Sequence, residues 1–321
     1  MPPRLQPPAP ASRHGVRPSV VVVTPGGGSC LLDFFVARFA AVPAAVWQAR
    51  FQAGDITYDS GERARTTDPA TAGRRLYYYR TVPDEALIPF TEEVLWQDAH
   101  LLVADKPHFL PVVPSGKHLR ETLLVRLQER LGLPELSPIH RIDKDTAGLV
   151  LFSVRAVDRN AYQALFRQRQ VGKVYECIAP WNPALPWPMR RESGIGPAAH
   201  FMQQAEVGET QDGGAGGVNA ITEIAPLEVH GNLARYALRP LTGQRHQLRV
   251  HMNALGLPLL FDGIYPTLTP EGANDYSRPL QLLARSLEFI DPLTGQNRHF
   301  ESRRNLLPLA EIDQKKHQIT L

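Results

Sequence analysis

A short polar segment that leads into an apolar strand is the part of the sequence best suited to chemistry. Residues 140–148 are His-Arg-Ile-Asp-Lys-Asp-Thr-Ala-Gly, and the apolar run 149–152 follows directly. Asp143 therefore lies between two cations, Arg141 and Lys144. A nucleophilic carboxylate must be charged, positioned and partly shielded from water. Asp143 is a candidate nucleophile, and a structural carboxylate bonded to loop N–H groups or to Arg141 is an equally open alternative.

A second polar segment supplies cations that could hold such a carboxylate. Residues 242–251 are Thr-Gly-Gln-Arg-His-Gln-Leu-Arg-Val-His. The Thr-Gly pair predicts a turn into a strand, in which Gln247, Arg249 and His251 would share one face. A carboxylate that is removed from water stays charged when a cation lies beside it. Arg249 is the better candidate partner for Asp143, because neighbours on one loop need not point at each other.

The remaining titratable residues of the two segments favour structural roles. Asp145 directly precedes Thr-Ala-Gly, where a capping or turn function is expected. The histidines are expected to be hydrogen-bonded structural residues, because no carboxylate-rich cluster accompanies them. They are His140, His246 and His251. No metal site is predicted.

The elements around these segments predict an α+β domain. An amphipathic helix is expected around 119–131 and another from about 158. Strands are expected at 101–104, 149–154, 174–178, 220–229 and 233–239. Strands outnumber helices and the order is not an alternating βαβ pattern, so we expect a mixed or antiparallel sheet.

The chain before this domain divides into shorter parts. Residues 1–29 are rich in proline and then glycine, which favours a flexible tail. Residues 30–80 predict two short helices followed by a small hairpin sheet, with seven arginines against five acidic residues. This small layout resembles the αL-type RNA-binding module of a small-subunit ribosomal protein, with a plain packing domain as the alternative. The full division is tail 1–29, module 30–80, linker 81–93, catalytic domain 94–310 and C-terminal tail 311–321.

Composition restricts the class of protein only broadly. The 321 residues are 43% hydrophobic and 21% charged, with a net charge of +3, as in ordinary globular chains. This charge permits a nucleic-acid partner without demanding one. The two cysteines have no CxxC neighbour, which makes zinc and redox chemistry poor candidates. Neither a run of roughly 18 apolar residues nor a secretory signal is found, so a cytoplasmic protein without a membrane partner is expected.

Four ordered segments resemble the RluA family of RNA pseudouridine synthases. HRIDKDTAGLVLF, 140–152, is similar to the family's HRLDxxTSGLLL motif. TGQRHQLRVHMNALGLPLLFDGIY, 242–265, is similar to its TGRxHQLRVHMxxLGxPIxGDxxY motif. GKVYEC, 172–177, resembles its K-x-Y-x-A strand, and LVADKP, 102–107, resembles its hydrophobic-NKP segment. The matches run from about 94 to 300 in the family's order, and an αL-type N-terminal module is common in this family.

The resemblance implies a fold and a reaction. The fold is the pseudouridine synthase fold, with a mixed, largely antiparallel central sheet flanked by helices and a small N-terminal α/β domain. The reaction is the isomerisation of a uridine in rRNA or tRNA to pseudouridine on a flipped nucleotide. The reaction neither oxidises a group nor activates a phosphate, so no cofactor and no metal are expected. A monomeric enzyme is expected.

The resemblance also implies roles for individual residues. Asp143 would attack the sugar C1′ or the uracil ring, Tyr175 would stack on the uracil, and Arg249 would keep Asp143 charged. Arg141 would fill the gap left in the RNA stack, with a phosphate contact equally open. Leu248 would pack on the base or in the core. Further substrate contacts are implied for Arg245, His246 and Gln247.

Several positions depart from the family pattern. Ala147 replaces a frequent serine, and Gln244 replaces a frequent arginine beside Arg245. Phe261 replaces a usual glycine, and Leu283 stands where a histidine is common. These departures concern the substrate more than the chemistry, because Asp143, Tyr175 and Arg249 are retained.

Two other functions compete with this interpretation. The first is a non-catalytic RNA-binding protein on a synthase scaffold. The second is a glycoside hydrolase that uses Asp143 and Asp145. The second is disfavoured, because two acids on one loop cannot easily straddle a sugar with the carboxyl separation of at least about 5 Å that such enzymes need.

Overall fold

The structure, a computed structural model, describes residues 10, 13, 15–80, 85–116, 118–208, 217–269 and 275–312. Close packing divides the chain into two units. One comprises residues 1–86 and 114–134, and the other comprises residues 87–113 and 135–321. Nearly all of the predicted C-terminal tail and the start of the predicted linker lie outside the described residues.

The N-terminal unit contains a small aromatic core between two helices and three antiparallel strands. Its first elements are β1 (Ser19–Val22), α1 (Leu31–Arg38), α2 (Ala44–Ala53), β2 (Ile56–Tyr58) and β3 (Arg75–Tyr78), with β3 in the middle of the sheet. The Phe35 ring lies 4.6 Å from Trp47 and 5.5 Å from Phe51, between centroids. Pro43 begins α2 and Gly54, in the left-handed conformation, ends it. The two helices and the hairpin strands confirm the elements predicted for 30–80.

The prediction of a flexible tail over 1–29 is wrong for residues 19–22. They form β1 and pair antiparallel with β3, with Val20 opposite Tyr77. Val21 and Val23 are buried in the core, whereas Val20 and Val22 are exposed. This alternation is that of a half-buried edge strand, and the surrounding proline and glycine residues concealed it.

Helix α3 (Leu123–Leu131) belongs to the N-terminal unit by packing. The Thr122 side chain caps its first turn, and Gly132 ends it in the left-handed conformation, as the sequence predicted. Val125 is buried with Val16 and Leu119. Sequence patterns alone had placed this helix within 94–310.

The second unit is built on one large sheet, which confirms the predicted α+β class. Its strands are β4 (Glu93–Gln97), β5 (Leu101–Lys106), β6 (Ser137–Pro138), β7 (Ala147–Ser153), β8 (Gly172–Pro180), β9 (Met189–Pro197), β10 (Gln204–Val207), β11 (Ala220–His230), β12 (Leu233–Pro240), β13 (Leu282–Ile290) and β14 (Asn297–Glu301). The main order is β10-β9-β11-β12-β8-β13-β7-β5-β4, with β14 beside β13 and β6 beside β7. All described pairings are antiparallel except β7 with β13.

Two helices cover parts of this sheet. Helix α4 (Arg159–Arg167) packs Tyr162 and Leu165 against residues of β5 and β7. Helix α5 (Gln247–Ala254) packs Leu248 and Met252 against residues of β8, β12 and β13. Every residue of β7 is buried, so the polar segment that precedes it is anchored to a strand in the interior of the protein.

Candidate active site

The conformation of residues 247–254 corrects the predicted strand after Thr242 and Gly243. They form helix α5, and His246 precedes it in the left-handed conformation with φ 56°. The apolar residues Leu248, Met252 and Leu255 have helical i, i+4, i+7 spacing, which is the signal that the alternating polar residues obscured. In a helix, residues two positions apart such as Gln247, Arg249 and His251 do not share a face. The predicted polar face of Gln247, Arg249 and His251 is therefore wrong.

The helix brings Arg249 to Asp143, as the sequence predicted. Arg249 Nη1 donates to Asp143 Oδ2 at 3.2 Å. The other side of the guanidinium donates to Asp262, from Nε at 2.8 Å and from Nη2 at 2.5 Å. The Arg249 side chain is 2% exposed and Asp262 is fully buried, whereas Asp143 is 29% exposed. Asp143 is therefore the accessible end of a fixed carboxylate–guanidinium–carboxylate array.

Asp262 is the member of the array to which the sequence assigned no role. Its Oδ1 accepts from the backbone N–H groups of Ile264 and Tyr265 as well as from Arg249. Burial opposes the charge of Arg249, but the hydrogen bonds and charge of Asp262 raise the pKa of Arg249 above its usual value. The guanidinium therefore stays charged and oriented. The only sequence signal was the position of Asp262 inside the second motif.

His246 lies against the other oxygen of Asp143. Its Nε2 is 3.9 Å from Asp143 Oδ1, and its Nδ1 is 3.0 Å from Tyr265 Oη. Burial lowers the pKa of His246, which favours a neutral ring. Tyr265 Oη accepts from the Gln204 N–H at 2.8 Å, so its own hydrogen is free to be donated to Nδ1. Such a donation from Tyr265 would leave the imidazole hydrogen on Nε2, on the side of Asp143.

Tyr175 and Leu248 form the apolar side of the site. Tyr175 is half-buried on β8, and it packs against the cluster that contains Leu248. Burial and the charge of Asp143 raise the pKa of the Tyr175 phenol, so the ring is neutral. An uncharged aromatic ring beside a carboxylate is suited to hold a planar base near that carboxylate.

A set of buried contacts fixes the loop that carries Asp143. Lys106 Nζ donates to the carbonyl oxygens of Pro107, Leu110 and Lys144 at 2.8–2.9 Å. Burial lowers the pKa of Lys106 to about 7. Three accepting carbonyls use all three hydrogens of the ammonium group, so this geometry is that of the charged form.

Two histidines complete the support of the loop. His108 Nδ1 donates to the Asp145 carbonyl at 2.7 Å. His140 Nε2 accepts from the Leu151 N–H at 3.1 Å, and its ring stacks on Phe166. Burial lowers the pKa of His140 to about 3. His140 is therefore a neutral structural residue, as the sequence predicted.

Gly148 explains how the loop can enter the sheet so closely. Its φ is 108°, and an added Cβ would lie 2.3 Å from the Ala284 oxygen of β13. Only glycine allows this approach. Ala147, in place of the frequent serine, is fully buried in an apolar cluster with Leu283. The Leu283 departure is thereby explained as core packing.

The other predicted substrate residues divide between the interior and the surface. The Gln247 amide is buried and makes four hydrogen bonds. Its Oε1 accepts from the Thr242 hydroxyl and the Gln244 N–H. Its Nε2 donates to the Ile221 carbonyl and the Thr222 hydroxyl. The hydrogen-bonding capacity of this amide is used within the protein, so Gln247 holds the start of α5 in place. Arg141 and Arg245 are exposed. A substrate contact stays a prediction for each of these residues.

Phe261 occupies an unusual conformation beside the array. Its φ is 60°, in the region that glycine tolerates best, which fits the usual glycine at this position. The guanidinium of Arg278 lies 4.8 Å from its ring centroid. The aromatic side chain therefore makes a contact that glycine could not make.

In the part of the chain that the structure describes, no group of three histidine, cysteine or carboxylate side chains is arranged to hold a metal ion. None of the described helices is both long enough and apolar enough to cross a membrane.

Comparison with known proteins identifies the class. Residues 100–254 match the model of the RNA pseudouridylate synthase family, a range that contains Asp143, Tyr175 and Arg249. The chain is similar in fold to human RNA pseudouridylate synthase domain containing 1, with a TM-score of 0.53 at 21% identity over 71% of this chain and 95% of that one. The large mixed sheet is thus that of a pseudouridine synthase, as predicted.

Sequence relatives define the family. An RNA pseudouridine synthase of Synechocystis is 30% identical over 246 residues, which cover 73% of this chain and 79% of the relative. The dual-specificity RNA pseudouridine synthase RluA of Haemophilus influenzae is 31% identical over 222 residues, which cover 66% of this chain and 92% of the relative. The chain belongs to the RNA pseudouridylate synthase family, in its RluA branch. It is an RNA pseudouridine synthase, so the glycoside hydrolase alternative is wrong.

Proposed function

We propose that this enzyme isomerises a specific uridine of rRNA or tRNA, with Asp143 as the nucleophile on a flipped nucleotide. The observation that carries the proposal is the array of Asp143, Arg249 and Asp262. It leaves one carboxylate accessible and fixes it through a buried cation. A charged, positioned and partly shielded carboxylate is what nucleophilic catalysis requires.

The residues around Asp143 have separate tasks in this proposal. Asp143 attacks C1′ of the ribose or the uracil ring, and the bond between N1 and C1′ breaks. The uracil turns and its C5 bonds to C1′, and the bond from Asp143 to C1′ or to the ring breaks, which regenerates the carboxylate. The proton on C5 is lost and N1 gains one, so the atoms balance. Tyr175 and Leu248 hold the planar base during the turn. Arg249 keeps the carboxylate aligned, and no oxidant or reductant is required.

Mapping pseudouridine in a strain that lacks the gene tests the proposal. Total RNA from the deletion strain should lack pseudouridine at one or a few positions. Wild-type protein should restore them, whereas Asp143→Ala and Asp143→Asn should not. Glu206→Gln, which removes a carboxylate paired with Arg191 rather than with Arg249, is a matched control and should restore them. Restoration by Asp143→Ala would contradict the assignment of Asp143 as the nucleophile.

The predicted module of residues 30–80 is proposed to dock RNA. What supports this is its set of exposed arginines, among them Arg38, Arg63, Arg65 and Arg74.

A monomeric state and a cytoplasmic location remain predictions from the sequence. Sedimentation of the purified protein and fractionation of cells that express it test these two predictions.

A further inference from the structure

The connection between β9 and β10 presents an exposed aromatic ring. Phe201 is 76% exposed, whereas Trp96, another exposed aromatic residue of the described chain, is 40% exposed. The turn is tight, because the Gln203 N–H donates to the His200 carbonyl at 2.8 Å. An exposed apolar ring on a turn whose backbone is constrained is suited to contact a partner, because less backbone freedom is lost on binding.

Hydrogen bonds tie this turn to the residues around Asp143. The Arg245 guanidinium lies 3.4 Å from the Phe201 carbonyl and 3.2 Å from the Met202 carbonyl. The Gln203 side chain donates to the Ile264 carbonyl at 2.8 Å. The Gln204 N–H donates to Tyr265 Oη, which in turn bonds His246. The backbone on both sides of Phe201 is therefore fixed to the residues that surround Asp143.

The surroundings of Phe201 suit a nucleic acid. Arg245 is exposed and positively charged, and the His200 ring lies 4.9 Å from the Phe201 ring. Proteins bind single-stranded nucleic acid by combining basic side chains with aromatic rings on which bases stack. A base whose neighbour has been flipped loses a stacking partner. The continuity of this surface with the active site favours RNA as its partner.

We propose that Phe201 stacks on an unpaired base next to the uridine that enters the active site, while Arg245 contacts the adjacent phosphate. This inference rests on the proposed function, because it takes the site at Asp143 as the place where the uridine is converted. It assigns to the β9–β10 turn a part in the choice of RNA. Neither the sequence motifs nor the site array includes this turn.

Photocrosslinking tests the position of the contact. Phe201 is replaced by p-benzoylphenylalanine and the full chain is irradiated with total RNA from the deletion strain. Adducts should cluster beside the uridine that the wild type converts. The same replacement at Leu227, which is 56% exposed on β11, is the matched control and should give scattered adducts. Adducts from position 201 that are as scattered as those of the control would overturn the proposal.

Kinetics on the same RNA test the energetic contribution. Phe201→Ala should lower kcat/KM about tenfold, mainly through KM, because base–aromatic stacking has that magnitude. Phe201→Trp should retain activity, whereas Phe201→Leu should not. Leu227→Ala should have no effect. Equal activity of the leucine and tryptophan variants, or of the alanine variant and the wild type, would overturn the proposal.

The two proposals can fail separately. If the adducts cluster and Asp143→Ala restores pseudouridine, the assignment of Asp143 as the nucleophile is refuted and the stacking contact is supported. If the adducts are scattered and Asp143→Ala is inactive, the stacking contact is refuted and the assignment of Asp143 as the nucleophile is supported.

Discussion

The charges of the two units are used in different ways. In the sheet unit, Arg249 is buried and held by Asp143 and Asp262, and Lys106 is buried among three carbonyl oxygens. In the N-terminal unit, Arg63 and Arg65 are exposed. The first set is fixed in a low-dielectric environment, and the second set is exposed to water.

This difference in burial predicts which substitutions should affect folding, chemistry or binding. A buried charge that loses its partner destabilises the protein, because it cannot be hydrated. An exposed charge acts at a distance and is screened by salt. Substitutions in the sheet unit should therefore change stability and turnover, whereas those in the N-terminal unit should change RNA affinity.

The largest expected effect on stability is that of Asp262→Ala. It removes the buried partner of Arg249 and the acceptor of two backbone N–H groups. Removing one partner of a buried ion pair costs about 3–5 kcal/mol. Denaturant unfolding should show this loss, and activity should fall as well because Arg249 is no longer held.

Asp143→Ala is the matched comparison for Asp262→Ala. Asp143 is partly exposed and meets only one nitrogen of Arg249 within 3.2 Å. Its removal should cost about 1 kcal/mol or less, as for a partly solvated pair, while it abolishes turnover. A stability loss equal to that of Asp262→Ala would contradict the distinction between the buried anchor and the accessible carboxylate.

Gly148→Ala should give the next largest effect. The new Cβ would lie 2.3 Å from the Ala284 oxygen, so β7 and β13 would have to separate where the loop of Asp143 ends. Overpacking of this kind costs about 1–3 kcal/mol, and unfolding should measure it. Gly243→Ala, where an added Cβ meets no atom within 4 Å, is the control. Equal stability of the two variants would show that the close approach is not required.

The pairing of Asp143 with Arg249 could be predicted from the sequence, although the secondary structure of the second segment could not. The alternation of Gln247, Arg249 and His251 suggested a strand, but Leu248 and Met252 must both reach the core under β8 and β12. A helix satisfies that tertiary requirement, which local alternation does not encode.

Asp262 and β1 escaped prediction for related reasons. The role of Asp262 depends on a tertiary contact, since its partner Arg249 lies on helix α5 and Asp262 follows that helix. Strand β1 is short and lies among proline and glycine residues, and it is stabilised by pairing with β3. Five strands of the large sheet were predicted from the sequence, namely β5, β7, β8, β11 and β12, whereas β4, β6, β9, β10, β13 and β14 were not.

Acid pH should lower the free energy of unfolding through the protonation of His140, which supports the loop of Asp143. Burial lowers its pKa to about 3 from 6.5, so the unfolded state binds more protons between these values and stability is lost as pH falls below about 6.5. Protonation would also remove the bond from the Leu151 N–H. Between pH 7 and about pH 5 the loss from His140 should be about 2 kcal/mol.

His140→Gln separates this contribution from those of other histidines. Glutamine can accept from Leu151 but does not titrate, so the difference in stability between this variant and the wild type should shrink or reverse towards acid pH. Urea unfolding at several pH values measures it. A difference in stability that does not change with pH would show that the pKa of His140 is the same in the folded and unfolded states.

The smallest effect per residue is expected on the surface of the N-terminal unit. Arg63→Glu with Arg65→Glu should weaken binding of RNA from the deletion strain several-fold at low salt, and the difference should shrink as salt rises, because each lost phosphate contact reduces the salt dependence of affinity. Stability and single-turnover conversion of bound RNA should stay unchanged, because neither arginine is part of a core. Glu288→Gln and Glu223→Gln, at exposed positions of the sheet unit, are the control. If the arginine variant slowed conversion of bound RNA while affinity stayed the same, binding and chemistry would not be divided between the two units.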